Sequence, residues 1–406
     1  MNNPTGLDTA PRRSSDSRGR AVSFLLVACV ITVGGWPAVA EPARQTVTLL
    51  RTPNGGIQPQ ALVDASGTTH LIYFQGDPRG GDVCYVRHES GEPEFGKPIR
   101  VNSRDGSVMA VGTIRGAQLA IGKNGRVHVA WNGPAPEEGG YLKAPLYYTR
   151  LDDSGSAFER ERNVITHAYG LDGGSSVAAD GQGNVYVTWH VQAGDGSQGE
   201  GGRAVFVARS RDEGRTFERE KRAISEPTGA CGCCGMKAYA DREGRMFALY
   251  RGARDLVNRD EILLASKDHG QSFQIVHSDP WVSSTCPMSS ASLAELPSSS
   301  NTLAAWETGG EVYYVLVDSK TGKVSGPTSP PGRGPRKHPV VVANRAGQIL
   351  LAWAEGTGWQ KGGSVHWQVF DQDGNPTRET GSAEGVPVWS LATAFAREDG
   401  GFVIVY

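Results

Sequence analysis

A short pattern recurs seven times along this chain of 406 residues and restricts its fold more than any other feature. In each copy a turn, usually with a glycine, precedes a short apolar strand that ends on an aromatic residue. Successive closing aromatics are 47 to 61 residues apart, at Phe74, Trp131, Trp189, Tyr250, Trp306, Trp353 and Tyr406. A period of this size holds about four strands per copy, and such a repeat predicts an all-β fold, the β-propeller.

Each repeat can be divided into an inner strand, the aromatic-capped second strand, a third strand and an outer strand. In the third repeat the inner, third and outer strands are predicted at 175–180, 204–209 and 216–224. The last repeat has only two strands, and we expect the early strand 46–50 to complete its sheet and close the ring. Seven blades are therefore predicted, with six as the alternative if the terminal strands merge. The closing aromatics are expected to pack between blades.

Composition agrees with a fold made of short strands and turns. The chain has 54 glycines and 23 prolines, and no long stretch keeps a helical apolar period. The formal net charge is −2, and it becomes −4 if residues 1–40 are removed, because they contain four arginines and two aspartates. Without a basic stripe, nucleic acid is not an expected partner.

Residues 1–40 have the features of a signal peptide. Four arginines precede the apolar run 21–33, and Ala38-Val39-Ala40 forms a cleavage site. The run is too short to favour a membrane-spanning helix. We therefore expect one propeller domain at 41–406, secreted or periplasmic and monomeric. Lipid anchoring at Cys29 is a less favoured alternative, because apolar residues continue after that cysteine.

Two turns between third and outer strands carry the same signature, Ser-x-Asp-x-Gly-x-Thr/Ser-Phe. They begin at Ser210 and Ser266 and place aspartates at positions 212 and 268. The aspartate can accept backbone N–H bonds within the turn, and the glycine can adopt a positive φ. This signature resembles the Asp-box, or BNR, repeat of sialidase-like propellers, including a group of exported bacterial sialidase-like proteins. The resemblance implies a propeller fold with the boxes on the face opposite the active site.

The sequence departs from sialidases at the residues that perform their reaction. Sialidases carry an Arg-Ile-Pro motif, an arginine triad, a Tyr/Glu nucleophile pair and an aspartic acid. The nearest stretch here is Pro98-Ile99-Arg100, which does not match the motif, and no triad can be assigned. Sialidase chemistry therefore remains an analogy at the level of the fold.

The repeat predicts which residues meet at one mouth of the central channel, because loops before inner strands and after second strands share a face. The loops before inner strands contain Asp172 to Ser175, Cys231 to Met236, Cys286 to Met288, Lys337 to Pro339, and Trp389. The loops after second strands contain Asn132, His190, Arg251, Glu307, and Glu355 with Trp359. Soft ligands and charges are therefore expected at one opening.

The cysteines permit three interpretations. An exported protein can pair them as a disulfide, with Cys233 or Cys234 bonded to Cys286. Alternatively, they form a metal site in which Cys231, Cys233, Cys234 and Cys286 act with Met236, Met288 and His338. Thiolates with a thioether favour Cu(I), and four thiolates suit Zn. The third interpretation is thiol redox chemistry at Cys231 and Cys234. Cys84 is expected to be a buried free thiol away from the mouth.

Three polar residues at the mouth have alternative interpretations. Asp172 is a candidate general acid or base, or it caps its turn. Arg251 can bind a ligand carboxylate or sulfate, or it pairs with acidic residues of its own loop. His190 is a candidate proton carrier or ligand.

Two carboxylates and two tryptophans complete the candidate set. Glu307 and Glu355 each follow a second strand and could act as a carboxylate pair. Trp359 and Trp389 could stack on sugar rings, although Trp389 could equally belong to the core.

Three functions follow from these residues. The first is an exported sialidase-like propeller that binds glycans or small anionic ligands, or hydrolyses glycosides. The second is a metal-binding (Cu or Zn) or redox propeller. The third is a non-catalytic scaffold.

Overall fold

Seven β-sheets follow one another in the computed structural model, which describes residues 46–90, 92, 94–194, 196 and 198–406. The predicted signal peptide and Cys29 lie outside these residues. None of the helices in the described part is long and apolar enough to span a membrane. Its helices are short 3₁₀ turns at Pro53–Gly55, Lys123–Gly125, Gly140–Lys143 and Glu200–Gly202.

The first four blades are four-stranded antiparallel sheets whose strands follow chain order from the inside outwards. Blade 1 contains β2 (Ile57–Val63), β3 (Thr69–Asp77), β4 (Gly80–His88) and β5 (Ile99–Arg100). Blade 2 contains β6 (Gln118–Ile121), β7 (Val127–Asn132), β8 (Leu146–Arg150) and β9 (Arg162–Asn163). Blade 3 contains β10 (Ser176–Ala179), β11 (Val185–Gln192), β12 (Arg203–Ser210) and β13 (Lys221–Arg222). Blade 4 contains β14 (Lys237–Ala240), β15 (Met246–Arg251), β16 (Glu261–Ser266) and β17 (Gln274–Asp279).

The last three blades follow the same order with two variations. Blade 5 has three strands, β18 (Ser292–Glu295), β19 (Asn301–Thr308) and β20 (Glu311–Asp318). Blade 6 contains β21 (Arg336–Ala343), β22 (Ile349–Glu355), β23 (Gly363–Phe370) and β24 (Pro376–Val386). Blade 7 combines β25 (Thr393–Ala396) and β26 (Phe402–Val405) with the early strand β1 (Val47–Leu50).

The ring closes as the sequence predicts. Strand β1 pairs in parallel with β26, in a register that places Val47 opposite Phe402. Arg51, just after β1, donates to the carbonyls of Gly385 and Glu384, both at 2.7 Å, and its guanidinium lies over the Tyr406 ring. The fold thus has seven blades, not the alternative six, and the N-terminal strand closes the ring by completing the last sheet.

The closing aromatics form the core between blades, as predicted. All seven are buried, with at most 6% of the surface exposed. Trp189, for example, packs among residues of blades 2 and 3, including Tyr148, and donates its indole N–H to the Ala168 carbonyl at 3.0 Å. Burial of these rings stabilises the packing of each sheet against its neighbour.

The Asp boxes are structural turns at the ends of third strands. Asp212 accepts from the backbone N–H of Thr216 at 2.9 Å and from its hydroxyl at 2.6 Å. Gly214 has φ 80°, and a Cβ there would overlap the Tyr148 hydroxyl of blade 2. The box includes Thr216 and Phe217, the first two residues of the predicted outer strand 216–224, and only Lys221–Arg222 of that segment pairs with β12.

Candidate functional site at the channel mouth

Residues at the starts of blades 2, 4, 5, 6 and 7, together with the loop after β22, line one depression at the channel mouth, open to solvent and about 570 Å³ in volume. Its lining comprises Gly112, Thr113, Ile114, Arg115, Cys233, Met288, Lys337, His338, Thr357, Gly358, Trp359 and Trp389. Every one of these residues precedes or begins an inner strand, or follows a second strand. The repeat therefore positions the site, because it brings loops that are distant in sequence to one end of the ring.

The cysteine loop before β14 is fixed by backbone hydrogen bonds on both sides. The N–H of Cys231 donates to the Arg251 carbonyl at 2.9 Å, and the N–H of Gly235 donates to the Ser289 carbonyl at 2.8 Å. Between these anchors, the Sγ atoms of Cys231, Cys233 and Cys234 all lie within 4.8 Å of one another. Such a group of thiols fits a soft metal ion.

A disulfide joins Cys233 to Cys286, with the Cα atoms 6.6 Å apart. This is one of the two pairings that the sequence left open. Cys231 and Cys234 are free and buried, and they lie behind Cys233, which lines the depression. Cys84 is also free, but it is half-buried on β4 in blade 1, away from the mouth.

The two methionines of the predicted metal set have different surroundings. Met288 lines the depression beside Cys233, whereas Met236 packs in the core between blades 3 and 4. His338 also lines the depression, and its Nδ1 lies 3.2 Å from the Ser290 hydroxyl. Burial and the charge of Lys337 lower the pKa of His338 to about 3, so its imidazole is neutral.

Arg251 is buried below the cysteine loop instead of facing the channel. Its Nε lies 3.1 Å from the Glu261 carboxylate, and its Nη1 donates to the Arg259 carbonyl at 2.7 Å. Its other Nη contacts the Glu307 carbonyl. With 3% of its surface exposed, Arg251 is engaged by the protein itself, so its predicted role in ligand binding gains no support from this arrangement. Burial raises the pKa of Glu261 to about 8 despite this arginine.

Asp172 lies between two arginines at the edge of the mouth. Arg203 donates to its carboxylate at 2.8 Å, and Arg115 donates to the same carboxylate at 3.2 Å and to the Asp172 carbonyl at 2.7 Å. Burial opposes ionisation, but the two guanidinium groups outweigh it and lower the pKa of Asp172. An ionised carboxylate suits a base or a counter-ion and not a general acid.

Arg115 is a site residue that the sequence reasoning missed. It lines the depression and holds Asp172, and it lies in the loop before the inner strand β6. Asp172 was selected because it lies in the loop before the inner strand of the third repeat. The same criterion, applied to the second repeat, would have selected Arg115.

His190 is buried beside the cysteine loop, with 2% of its surface exposed. Neither ring nitrogen has a hydrogen-bond partner among the described residues. Burial lowers the pKa of His190 to about 3, so the ring is neutral. It abuts Gly173, where any Cβ would overlap the ring. The ring is thus separated from the depression, and its role as proton carrier stays a prediction.

Glu307 and Glu355 each accept hydrogen bonds from nearby protein groups, and neither lines the depression. Glu307 accepts from the N–H of Gly310 at 2.8 Å, and burial raises its pKa. Glu355 accepts from the Trp353 indole at 2.8 Å and lies 3.7 Å from His366. These contacts do not place the two carboxylates as a hydrolytic pair facing this depression.

Two tryptophans form one wall of the depression. The rings of Trp359 and Trp389 have centroids 5.6 Å apart and an interplanar angle of 57°. Trp359 is 54% exposed, and the indole N–H of Trp389 has no partner among the described residues. Nearby, Lys337 donates to the Pro287 carbonyl at 2.7 Å. The mouth therefore offers an aromatic wall and cations.

Comparison with known proteins relates this fold to enzymes that act on carbohydrates. No family model matches the chain, and no curated protein matches its sequence. A Hadza microbial sialidase is 18% identical, with a TM-score of 0.50 over 82% of this chain and 69% of that one. An α-L-arabinofuranosidase from Fusarium graminearum is 12% identical, with a TM-score of 0.50 over 80% and 95%. An ulvan lyase of polysaccharide lyase family PL25 is 12% identical, with a TM-score of 0.51 over 84% and 87%. At such identities the likeness extends to the fold alone: the chain is a seven-bladed, sialidase-like β-propeller.

Proposed function

We propose that this protein binds the end of an anionic saccharide in the depression at the channel mouth. The observation that supports the proposal is the wall formed by Trp359 and Trp389 beside Arg115 and Lys337. A half-exposed tryptophan at the edge of a concave site is favourable for stacking on the apolar face of a sugar ring. The fold is also one that carbohydrate-active enzymes use.

The polar groups of the depression match a carboxylate or sulfate substituent. The Lys337 ammonium has three donors, of which one goes to the Pro287 carbonyl, and Arg115 supplies a guanidinium beside it. Together with the tryptophan wall, these cations would recognise a sugar through one stacked face and one negative charge.

Binding is better supported than hydrolysis. Among the described residues, the lining contains no aspartate, glutamate or tyrosine. Glycoside hydrolysis ordinarily needs two acidic side chains on either side of the scissile bond, or a tyrosine in place of one of them. Asp172 is near the lining but forms ion pairs with Arg115 and Arg203.

Calorimetric titration with oligosaccharides that end in sialic acid, a uronic acid, a sulfated sugar or a neutral sugar tests the proposal. We expect the acidic and sulfated ligands to bind and Trp359→Ala to weaken them about tenfold, equivalent to about 1.4 kcal/mol. Lys337→Met should weaken charged ligands more than neutral ones. Leu142→Ala is a matched control, because Leu142 is also 54% exposed and lies outside the lining.

Absence of binding to every ligand, or equal affinities for Trp359→Ala and the parent protein, would overturn the proposal. Aryl glycosides incubated with the same samples distinguish a hydrolase from a binding module.

A further inference from the structure

We propose that Cys231, Cys233, Cys234 and Cys286 form a site for one soft d¹⁰ cation, Cu(I) or Zn(II), when the Cys233–Cys286 disulfide is reduced. This site is separate from the saccharide-binding wall, although both open at the channel mouth. Neither proposal depends on the other.

The positions of the sulfur atoms carry the inference. Three of them lie within 4.8 Å of one another, and the Sγ atoms of Cys231 and Cys233 are 3.2 Å apart. The fourth sulfur, on Cys286, is bonded to the sulfur of Cys233 and is therefore next to the other three. Four thiolates around a tetrahedral ion at a metal–sulfur distance of about 2.3 Å are about 3.8 Å apart. Small side-chain rotations from the observed positions would reach this arrangement.

The backbone that carries the thiols is held in place before any ion binds. One anchor connects Cys231 to the end of β15 in the same blade, and the other connects Gly235 to Ser289 before β18. The loops that supply Cys231 to Cys234 and Cys286 therefore stay together when the disulfide opens. A preorganised ligand set avoids part of the ordering cost of metal binding.

The cluster has both an entry path and a dry interior. Cys233 lines the open depression, whereas Cys231 and Cys234 are 1% and 4% exposed. The soft or borderline ligands Met288 and His338 share that lining with Cys233. An ion can therefore reach the thiols through contacts with the sulfur of Met288 and the imidazole of His338, and the buried thiols of Cys231 and Cys234 shield its inner side from water.

Nearby cations offset the charge of the thiolates. Arg251 and Arg259 both lie close enough to interact electrostatically with Cys231 and Cys234. Binding of Zn(II) to four thiols would release four protons and leave a formal charge of −2 on the centre. Buried guanidinium groups at this position lower the cost of that charge.

The disulfide makes the site dependent on redox state. A dithiol reductant converts the Cys233–Cys286 disulfide to two thiols and is itself oxidised to a cyclic disulfide, with two electrons and two protons transferred. Reduction raises the number of available thiols at the mouth from two to four. The oxidised protein should consequently bind the ion weakly or not at all.

Anaerobic metal titration of the full protein tests the inference. After treatment with a dithiol and removal of the reductant, Cu(I) and Zn(II) are each titrated against a chromophoric chelator. We expect one ion per chain. Cys231→Ser and Cys234→Ser should each weaken binding at least tenfold. Cys84→Ser is the matched control and should bind like the parent protein, because its thiol lies in blade 1.

A second measurement needs no variant and remains decisive if a substitution disturbs folding. Alkylation followed by mass spectrometry should show the four mouth cysteines protected by the bound ion, with Cys84 modified to the same extent with and without metal. Equal binding by reduced and oxidised protein, equal binding by the cysteine variants, or no protection of the four thiols would overturn the proposal. Trp359→Ala should leave metal binding unchanged, because Trp359 belongs to the saccharide-binding wall. Failure of the saccharide proposal would therefore not alter the result of the metal titration.

Discussion

Cys233 and Cys286 are 53 residues apart in sequence, yet their disulfide joins the loop before β14 to the loop before β18. These loops belong to neighbouring blades, 4 and 5, and also share the hydrogen bond from Gly235 to Ser289. The bond therefore connects two blades at the mouth, and no strand pairing joins their sheets among the described residues.

Loss of this bond should destabilise the protein under non-reducing conditions. A loop of 53 residues corresponds to at most about 4 kcal/mol of chain entropy in the unfolded state. Cys286→Ser should therefore lower the urea midpoint relative to the parent protein, and a dithiol in the buffer should abolish the difference. Cys84→Ser serves as the control. Identical midpoints without reductant would show that the disulfide does not constrain the unfolded chain.

The Asp boxes predict a dependence of stability on pH in the acid range. Burial opposes ionisation of Asp212, but hydrogen bonds from Thr216 and Ser210 lower its pKa to about 2, below the usual 3.8. The stabilisation that ionised Asp212 provides to the folded protein is fully present above about pH 4 and is lost as the pH falls toward 2. Asp212→Ala should lower the free energy of unfolding by about 1 kcal/mol at pH 7 and by less at pH 2.5, as measured by urea unfolding. The exposed Glu138→Gln variant is the control, and a cost that is constant with pH would contradict this assignment.

Much of the fold could be predicted because its determinants are local and repeated. Each turn-strand-aromatic unit specifies one second strand, and Tyr406 and the strand at 46–50 complete the same sheet. The convergence of Cys233, Met288 and Trp359 at one mouth follows from blade order alone. Met236 departs from the prediction because side chains alternate along an extended strand. It lies on the same side as Ala238 and Ala240, which pack in the core with it.

Side-chain partners at the site could not be predicted, because they come from distant parts of the chain. Arg251 ends β15 at the mouth, as expected, but Glu261 on β16 and the Glu307 carbonyl of blade 5 draw its guanidinium inwards. Asp172 likewise owes its ionised state to Arg115, from the preceding blade connection, and to Arg203, at the start of β12. A single sequence shows which loops meet, but not which charges within them become paired.

The buried pair of Arg251 and Glu261 should be important for stability. Removing one member of a buried ion pair leaves an uncompensated charge and typically costs about 3–5 kcal/mol. At pH 9, above the pKa of about 8 of Glu261, Arg251→Met should therefore lower the free energy of unfolding by that amount, as measured in urea. Combined replacement of both residues by methionine should recover part of the loss. The exposed Arg254→Met variant is the control, and a double variant less stable than Arg251→Met would argue against the pairing.

Lys237 points into the central channel, where its Nζ donates to the side-chain Oε1 of Gln60 at 3.2 Å and to that of Gln118 at 3.1 Å. Burial lowers its pKa from 10.5 to about 8, so the folded protein releases this proton before the unfolded chain does. Between about pH 8 and 10.5 the unfolded chain holds more protons, and stability should rise with pH. Lys237→Met should remove that rise and be no less stable than the parent at pH 7, as judged by urea midpoints at pH 7, 8.5 and 10. The exposed Lys320→Met variant should follow the parent protein. Parallel pH profiles for Lys237→Met and the parent would mean that Lys237 remains charged in the channel, with its desolvation compensated by the two glutamines.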